Sequence, residues 1–326
     1  MSTLITPPAP SGCLSSSQIS QLLSHIQLPP HLHGAAPSLD LLQSLHTHML
    51  ATCPYENLSI HYNPKHRVDL DPQTLFRKIV TDARGRGGYC MELAILYNHL
   101  LRGLGFEAYT AGARTRPRID GVPGGQYPGW CHIVNIVTLP DGDRYAVDVA
   151  FGGDGPTAPL PLTDGFVHRN LGTQEVRLIR DWAPSQAHRA EEAKMWVYQY
   201  RNGQNREWNS YYGFTEIEFM AADWNVVNYW TSTCPDSHQT RTVLVVRFLA
   251  RQKEGSKQGE LEVYGKRMLV NGTVKENLGG KTQTLADYGT EAERLEALKI
   301  HFKITLSLEE AKSIKGWVTD LDLAAS

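Results

Sequence analysis

Hydrophobic residues recur at helical spacing through the first hundred residues of the chain. Three of these runs follow residues that commonly cap helices, namely Ser17, Ser38 and Asp71, and a fourth begins at Cys90. This spacing predicts a helical bundle over residues 1–105. The apolar positions of its first three helices are Ile19, Leu22, Leu23, Ile26, Leu41, Leu42, Leu45, Met49, Leu75, Phe76, Ile79 and Val80.

Two polar features of this region are predicted to lie in solvent. The first is the Pro/Ser-rich start over residues 1–17, which has the composition of a flexible segment. The second is a set of histidines placed between the apolar positions, His31, His33, His46 and His48.

From Phe106 the hydrophobic spacing changes from helical to alternating, which is typical of strands. The predicted strands cover residues 106–116, 131–139, 144–151, 196–201, 242–249 and about 260–270. Residues 140–143, Pro-Asp-Gly-Asp, predict a tight hairpin turn between the second and third strands. Residues 165–195 are polar and predicted to be an irregular connector. Capping boxes that begin at Thr290 and Ser307 predict two short helices in the tail.

Residues 84–93, RGRGGYCMEL, combine a glycine-rich bend with a cysteine in the first turn of the fourth helix. Free backbone N–H groups and the positive end of the helix dipole favour a thiolate at Cys90. The same N–H groups can stabilise an oxyanion. These features predict a nucleophile, and the alternative is that Cys90 is a small buried apolar residue.

A nucleophilic cysteine needs a base and a group that orients the base. His132 and Asp148 lie on the two predicted strands of one hairpin. The two side chains share a face of the sheet only if the residue numbers of directly opposite partners on the two strands add up to an even value. Each residue also has a non-catalytic explanation, since His132 can be a hydrogen-bonded polar residue and Asp148 a strand-end cap. The prediction therefore depends on Cys90, His132 and Asp148 occurring together.

These residues belong to a series of motifs that resembles the arylamine N-acetyltransferase family. The motifs occur in the family's order and span most of the chain. They are PYENL at residues 54–58, RGGYCMEL at 86–93, HIVNIV at 132–137, YAVDVAFG at 145–152 and DWNVVNYWTSTCPDS at 223–237.

The resemblance implies an α+β fold with a transglutaminase-like or cysteine-proteinase-like core. A helical domain over residues 1–105 would carry the nucleophile. A β-barrel domain over 106–240 would carry the histidine and aspartate and include the connector. An α/β lid over 241–326 would complete the fold.

By the same resemblance, Cys90, His132 and Asp148 form the catalytic triad, and Glu56 and Arg86 form a buried ion pair that braces the loop before the nucleophile.

Four further positions match family contacts with ligands. Gly129, Trp230 and Asp236 correspond to positions that contact coenzyme A, and Cys131 corresponds to a position near the acceptor. These assignments rest on the resemblance alone.

The implied function is transfer of an acetyl or related short acyl group from acyl-coenzyme A to an arylamine, arylhydrazine or hydroxylamine, through a thioester on Cys90, as in xenobiotic metabolism. Acetyl, propionyl and malonyl donors all remain open. Arg114, Arg116 and Arg118 either form a solvated basic face or bind a malonyl carboxylate or the phosphates of the coenzyme. The alternative functions are a transglutaminase-like cysteine hydrolase or amidase with the same triad, and a non-catalytic binding protein.

Composition and cysteine spacing limit the partners, the location and the metal binding that are expected of the protein. The 32 Lys and Arg residues nearly balance 34 Asp and Glu, without a polybasic run, so nucleic acid and anionic membrane are not expected partners. The chain has no long apolar run and no secretory signal pattern, and its five scattered cysteines favour reduced thiols, which together predict a cytoplasmic protein. Cys234 and His238 provide only half of a zinc-binding pattern, so no metal is expected.

Overall fold

A computed structural model describes residues 14–324, so most of the Pro/Ser-rich start, including Cys13, lies outside the described residues. The first part of the described chain is helical. Its helices are α1 (Ser16–His25), α2 (Leu39–Thr52), α3 (Leu58–Tyr62), α4 (Pro72–Phe76) and α5 (Cys90–Gly103), with a 3-10 turn at Pro30–Leu32 and a π turn at Arg77–Thr81.

Two of the three predicted N-cap residues are confirmed. Ser38 and Asp71 cap α2 and α4 as predicted. The prediction of Ser17 as the cap of α1 is wrong by two residues. Ser15 takes that place because it forms a reciprocal capping box with Gln18, in which each side chain bonds the other residue's backbone N–H.

The predicted exposure of His46 and His48 is also wrong, because both side chains are buried. His46 Nε2 lies 3.1 Å from the carbonyl oxygen of Pro156, and His48 Nδ1 lies 3.0 Å from that of Ile26. These histidines therefore tie α2 to neighbouring segments instead of facing water.

Ten strands lie in the middle of the described chain. They are β2 (Glu107–Thr115), β3 (Arg118–Ile119), β4 (Val122–Pro123), β5 (His132–Thr138), β6 (Arg144–Val147), β7 (Leu160–Pro161), β8 (Val167–Arg169), β9 (Glu175–Asp181), β10 (Met195–Arg201) and β11 (Asn209–Glu218). Eight of them form an antiparallel sheet in the order β7-β6-β5-β2-β11-β10-β9-β8, which curls into a nearly closed barrel because β7 lies against β9. The other two, β3 and β4, form a separate ribbon.

The prediction of an irregular connector over residues 165–195 is wrong in its middle, where β8 and β9 lie. In β9 only Val176 and Leu178 are fully inward, and the other positions are mostly charged. The charged residues on the outer face of β9 obscured its alternation of apolar and polar positions. Strand β11 was not predicted.

The last part of the described chain combines a second antiparallel sheet with short helices. The elements are α6 (Ala221–Thr233), α7 (His238–Arg241), β12 (Leu244–Gln252), β13 (Leu261–Val270), β14 (Thr273–Leu278), β15 (Lys281–Asp287), α8 (Glu291–Ala297, followed by a π turn at Leu298–Phe302), α9 (Leu308–Ser313) and α10 (Leu321–Ala324). Helices α8 and α9 begin at the predicted capping boxes of Thr290 and Ser307.

An early segment of the chain joins this second sheet. A two-residue strand, β1 (Tyr55–Glu56), pairs with β12 at the edge of the sheet, whose order is β1-β12-β13-β14-β15. The helical part and the second sheet therefore meet beside the glycine-rich bend. The division of the chain at residues 105 and 240 remains a prediction.

Candidate active site

The glycine-rich bend before α5 is held against the segment that contains β1. Glu56 N donates to Gly88 O at 2.9 Å, and Gly88 N donates to Pro54 O at 3.3 Å. A Cβ atom at Gly87 would lie 1.8 Å from the Pro54 oxygen, so a larger residue would displace the backbone. This close approach fixes where α5 begins, at Cys90.

Cys90 is the first residue of α5 and is 3% exposed. Its Sγ donates a hydrogen bond to the carbonyl oxygen of Cys131 at 3.8 Å. The carboxylate of Glu92 accepts from Tyr89 N at 3.1 Å and so satisfies the N-cap position. The backbone N–H groups of Cys90 and Met91 face the sulfur.

The backbone N–H groups at the start of α5 lower the pKa of the Cys90 thiol, which is the predicted direction, but they do not decide its protonation. Burial raises the pKa of the Cys90 thiol well above its usual range, and the neighbouring Cys131 raises it further. The N–H groups of Met91 and Cys90 act in the opposite direction but do not outweigh burial. Loss of the proton to solvent is therefore unfavourable, whereas transfer to a neighbouring base would leave the net charge of the site unchanged.

His132 and Asp148 meet as the hairpin predicts. His132 Nε2 lies 2.8 Å from Asp148 Oδ2, and both side chains are buried. The strands pair with Asn135 opposite Val147, so the sum of paired numbers is even, as the common face requires. The second carboxylate oxygen of Asp148 accepts from Ala150 N at 2.9 Å.

Aromatic side chains fix the plane of the His132 ring. The rings of Phe151 and Tyr212 lie edge-on to it at centroid distances of 5.0 and 5.3 Å. Sequence reasoning did not identify either residue as part of the site, although Phe151 follows Asp148 by only three positions.

The thiol and the imidazole are brought to neighbouring positions through Cys131. Its carbonyl accepts from Cys90, and His132 is the next residue. Within residues 14–324 no hydrogen bond joins Cys90 Sγ to His132, and His132 Nδ1 has no hydrogen-bond partner. The hydrogen bond between His132 and Asp148 is therefore formed, and one between the Cys90 sulfur and the His132 ring is not.

A network of largely buried ion pairs surrounds the glycine-rich bend. Arg86 Nε lies 2.9 Å from Glu56 Oε1, which confirms the ion pair that the resemblance implied. Arg86 also binds Glu310 at 2.8 Å, and Lys78 binds Glu92 at 2.5 Å. Arg86 thereby ties the bend to α9, and Lys78 ties the π turn at Arg77–Thr81 to the first turn of α5.

Replacing Glu56 by glutamine is expected to lower the free energy of unfolding at pH 7 by about 3–5 kcal/mol, because Arg86 loses its main buried counter-charge. Burial alone would raise the pKa of Glu56, but Arg86 and Lys78 outweigh it and the pKa lies below its usual value. A carboxyl of this kind stabilises the protein above its unfolded pKa, and that contribution is lost as the pH falls through the folded pKa. Acid should therefore destabilise the wild type more than Glu56→Gln.

Urea unfolding between pH 7 and acidic pH measures this difference. Glu262→Gln is the matched control, because Glu262 forms an exposed pair with Arg251 at 2.7 Å and such pairs contribute about 1 kcal/mol or less. Parallel pH profiles of stability for the wild type and Glu56→Gln would contradict the assignment.

Helix α6, which sequence analysis did not predict, braces the start of α5. The Tyr89 hydroxyl donates to Asn228 Oδ1, and Asn228 Nδ2 donates to Val68 O at 2.9 Å. Trp224 on the same helix donates to the Thr110 hydroxyl at 2.9 Å. The buried positions of α6 recur at helical spacing, which was the available signal.

The predicted ligand positions lie in different settings. Gly129 lies in the loop before β5, with open space where a Cβ would be. Cys131 is half-buried, and its Sγ lies 3.2 Å from the Thr115 hydroxyl. Trp230 on α6 is 42% exposed. Asp236 is exposed and pairs with Arg241 at 2.9 Å.

Residues 14–324 contain no group of three or more His, Cys, Asp and Glu side chains placed to hold a metal ion. None of the helices in that range is both long and apolar enough to cross a membrane.

Comparison with known proteins places the chain in a family. A family model described as N-acetyltransferase matches residues 38–311. N-malonyltransferase FDB2 from Gibberella moniliformis is 34% identical over 288 residues, which cover 85% of this chain and 81% of the relative. Arylamine N-acetyltransferase from Escherichia coli (strain K12) is 32% identical over 216 residues, which cover 66% of this chain and 69% of the relative.

The fold agrees with a solved structure from the same group. Mycobacterium marinum arylamine N-acetyltransferase, in complex with CoA, matches with a TM-score of 0.70 and 25% identity over 91% of this chain and 98% of that chain. The predicted fold class, with its cysteine-proteinase-like core, is thereby confirmed. The chain belongs to the arylamine N-acetyltransferase family and is an acyltransferase of that family.

Proposed function

We propose that this protein transfers a short acyl group from acyl-coenzyme A to the nitrogen of an arylamine or arylhydrazine, or to a hydroxylamine, in two half-reactions through a thioester on Cys90. The observation that carries the proposal is the buried pair of His132 and Asp148, next to a cysteine at a helix start. Family membership supports the donor, because the Mycobacterium marinum relative has been solved with CoA.

In the first half-reaction the Cys90 thiol passes its proton to His132 Nδ1 and the sulfur attacks the thioester carbon. Asp148 accepts from Nε2–H, which selects the ring tautomer with a free Nδ1 and stabilises the imidazolium. The bond from carbon to the coenzyme sulfur breaks, and coenzyme A leaves with the proton from His132. Backbone N–H groups at the start of α5 stabilise the oxyanion between these events.

In the second half-reaction the acceptor nitrogen attacks the acyl group on Cys90, and His132 takes the proton that the nitrogen loses. The carbon–sulfur bond breaks, and Cys90 recovers the proton from His132. Exchange of one thioester for another is nearly balanced in free energy, so the acyl group stays activated toward a weakly nucleophilic amine. Burial of the site suits this chemistry because it excludes competing water.

Names of the relatives include both malonyltransferase and acetyltransferase. Acetyl-, propionyl- and malonyl-coenzyme A are therefore the donors to compare.

The function is tested by measuring free coenzyme A and acylated amine together, with each donor and an aniline as acceptor. The expected result is one coenzyme A released for each amine acylated, with little release when the aniline is absent. Equal release without amine would identify a cysteine hydrolase, and no release with any donor would identify a binding protein. Either outcome contradicts the proposal.

A further inference from the structure

A cavity of about 350 Å³ lies on the outer face of the barrel sheet, beside the loop between β9 and β10. Cys90, His132 and Asp148 are not among the residues that line it. Ala113 on β2 pairs directly with His132 on β5, so these two side chains share one face. Arg114 is the next residue of β2 and projects from the opposite face into the cavity.

Arg114 is a partly buried cation without an anionic partner. Nη1 donates to the carbonyl oxygen of Pro128 at 2.8 Å, and the guanidinium lies 3.9 Å from the centroid of the Trp130 ring. Among residues 14–324, Arg114 has no carboxylate within ion-pair distance, and its Nε and Nη2 have no hydrogen-bond partner. Burial lowers the pKa of the guanidinium, which is the direction expected when desolvation is not balanced by a carboxylate.

The neighbouring arginines differ in this respect. Arg118 pairs with Asp154 at 2.7 Å, and Arg116 donates to the carbonyl oxygens of Gly125 and Ser210. The interpretation of all three as one solvated basic face therefore does not hold for Arg114, which faces a cavity.

The rest of the cavity wall combines apolar surface with a second free polar atom. The Thr215 hydroxyl is buried in the wall and has no hydrogen-bond partner within the described residues. Tyr127, Trp130 and Met195 contribute aromatic and apolar surface. A free guanidinium and a free hydroxyl at an apolar wall match an anion that carries a flat apolar body.

We propose that this cavity binds a small aromatic carboxylate, with the carboxylate on Arg114 and the Thr215 hydroxyl and the ring against Tyr127 and Trp130. A guanidinium can bind a carboxylate through two parallel hydrogen bonds, and Arg114 has two free nitrogens for this purpose. The apolar walls favour such a ligand over inorganic phosphate, because phosphate has no apolar surface to contact them. The volume falls within the range of small-molecule pockets.

Isothermal titration of benzoate into the full-length protein tests the proposal. The Cys90→Ser variant is used for every titration, so that the result does not depend on the proposed function. Benzamide and inorganic phosphate are the comparison ligands, since the first lacks the charge and the second lacks the ring. Benzoate is expected to bind, and Arg114→Gln to weaken it about tenfold or more.

Two further variants separate recognition from folding. Arg177→Gln is the matched control, because Arg177 stacks on Trp208 at 4.1 Å away from the cavity, and it should leave benzoate affinity unchanged. Ala193→Phe keeps Arg114 and fills the cavity, and it should also weaken binding. The proposal would be overturned if benzoate did not bind, if benzamide or phosphate bound equally well, or if either Arg114→Gln or Ala193→Phe left the benzoate affinity unchanged.

Discussion

Replacing Cys90 by serine is expected to reduce acyl transfer by roughly 10⁴- to 10⁶-fold, the range found when a nucleophile that acts with a base is removed. Serine is close to cysteine in size, so α5 and the hydrogen bond toward Cys131 can be kept. The alcohol is a far weaker acid than the thiol, and an ester would be less activated toward an amine than a thioester. The loss should therefore appear in turnover rather than in folding.

The measurement is the steady-state rate of amine acylation, together with thermal unfolding of each variant. Cys234→Ser is the control, because Cys234 is a free cysteine at the C-terminal end of α6. It should retain wild-type rates. A Cys90→Ser protein that folds normally and acylates amines within tenfold of the wild type would show that another residue is the nucleophile.

Replacing Asp148 by asparagine is expected to lower kcat by about 10²- to 10⁴-fold, with little change in stability. The Oδ1 contact to Ala150 N at 2.9 Å can be kept by an amide oxygen. The contact from Oδ2 to His132 Nε2 would lose its negative charge, and the amide nitrogen would favour the wrong ring tautomer. The imidazole would then be less able to accept the thiol proton on Nδ1.

Asp141→Asn is the matched control for this change. Asp141 lies in the turn of the same hairpin, where its carboxylate accepts from Asp143 N at 3.0 Å. The control should keep wild-type turnover and stability. Near wild-type turnover of Asp148→Asn would refute the orienting role, and a large loss of stability would indicate a structural one.

The local chemistry of the site could be predicted from the sequence because it depends on short-range rules. The glycine-rich bend and the apolar run that follows it predict a helix with Cys90 in its first turn, and α5 begins at Cys90. The turn between β5 and β6 sets the register, and strand alternation then places His132 and Asp148 on one face. Neither inference needs knowledge of distant contacts.

The remaining features depend on contacts between distant parts of the chain. His46 appeared solvated because its partner, the carbonyl of Pro156, lies 110 positions away. The contact between Arg86 and Glu310 spans 224 positions. The raised pKa of Cys90 follows from burial by elements on both sides of the bend, which a helix-terminus argument cannot include.

The central claim is that Cys90 carries the acyl group between donor and acceptor. Intact-protein mass spectrometry after mixing with acyl-coenzyme A alone, followed by peptide mapping and an arylamine chase, tests it most directly. The account predicts one acyl group on Cys90, lost when the amine is added at a rate no slower than turnover. Turnover without any acyl adduct on Cys90, or an adduct that the amine does not remove, would contradict it.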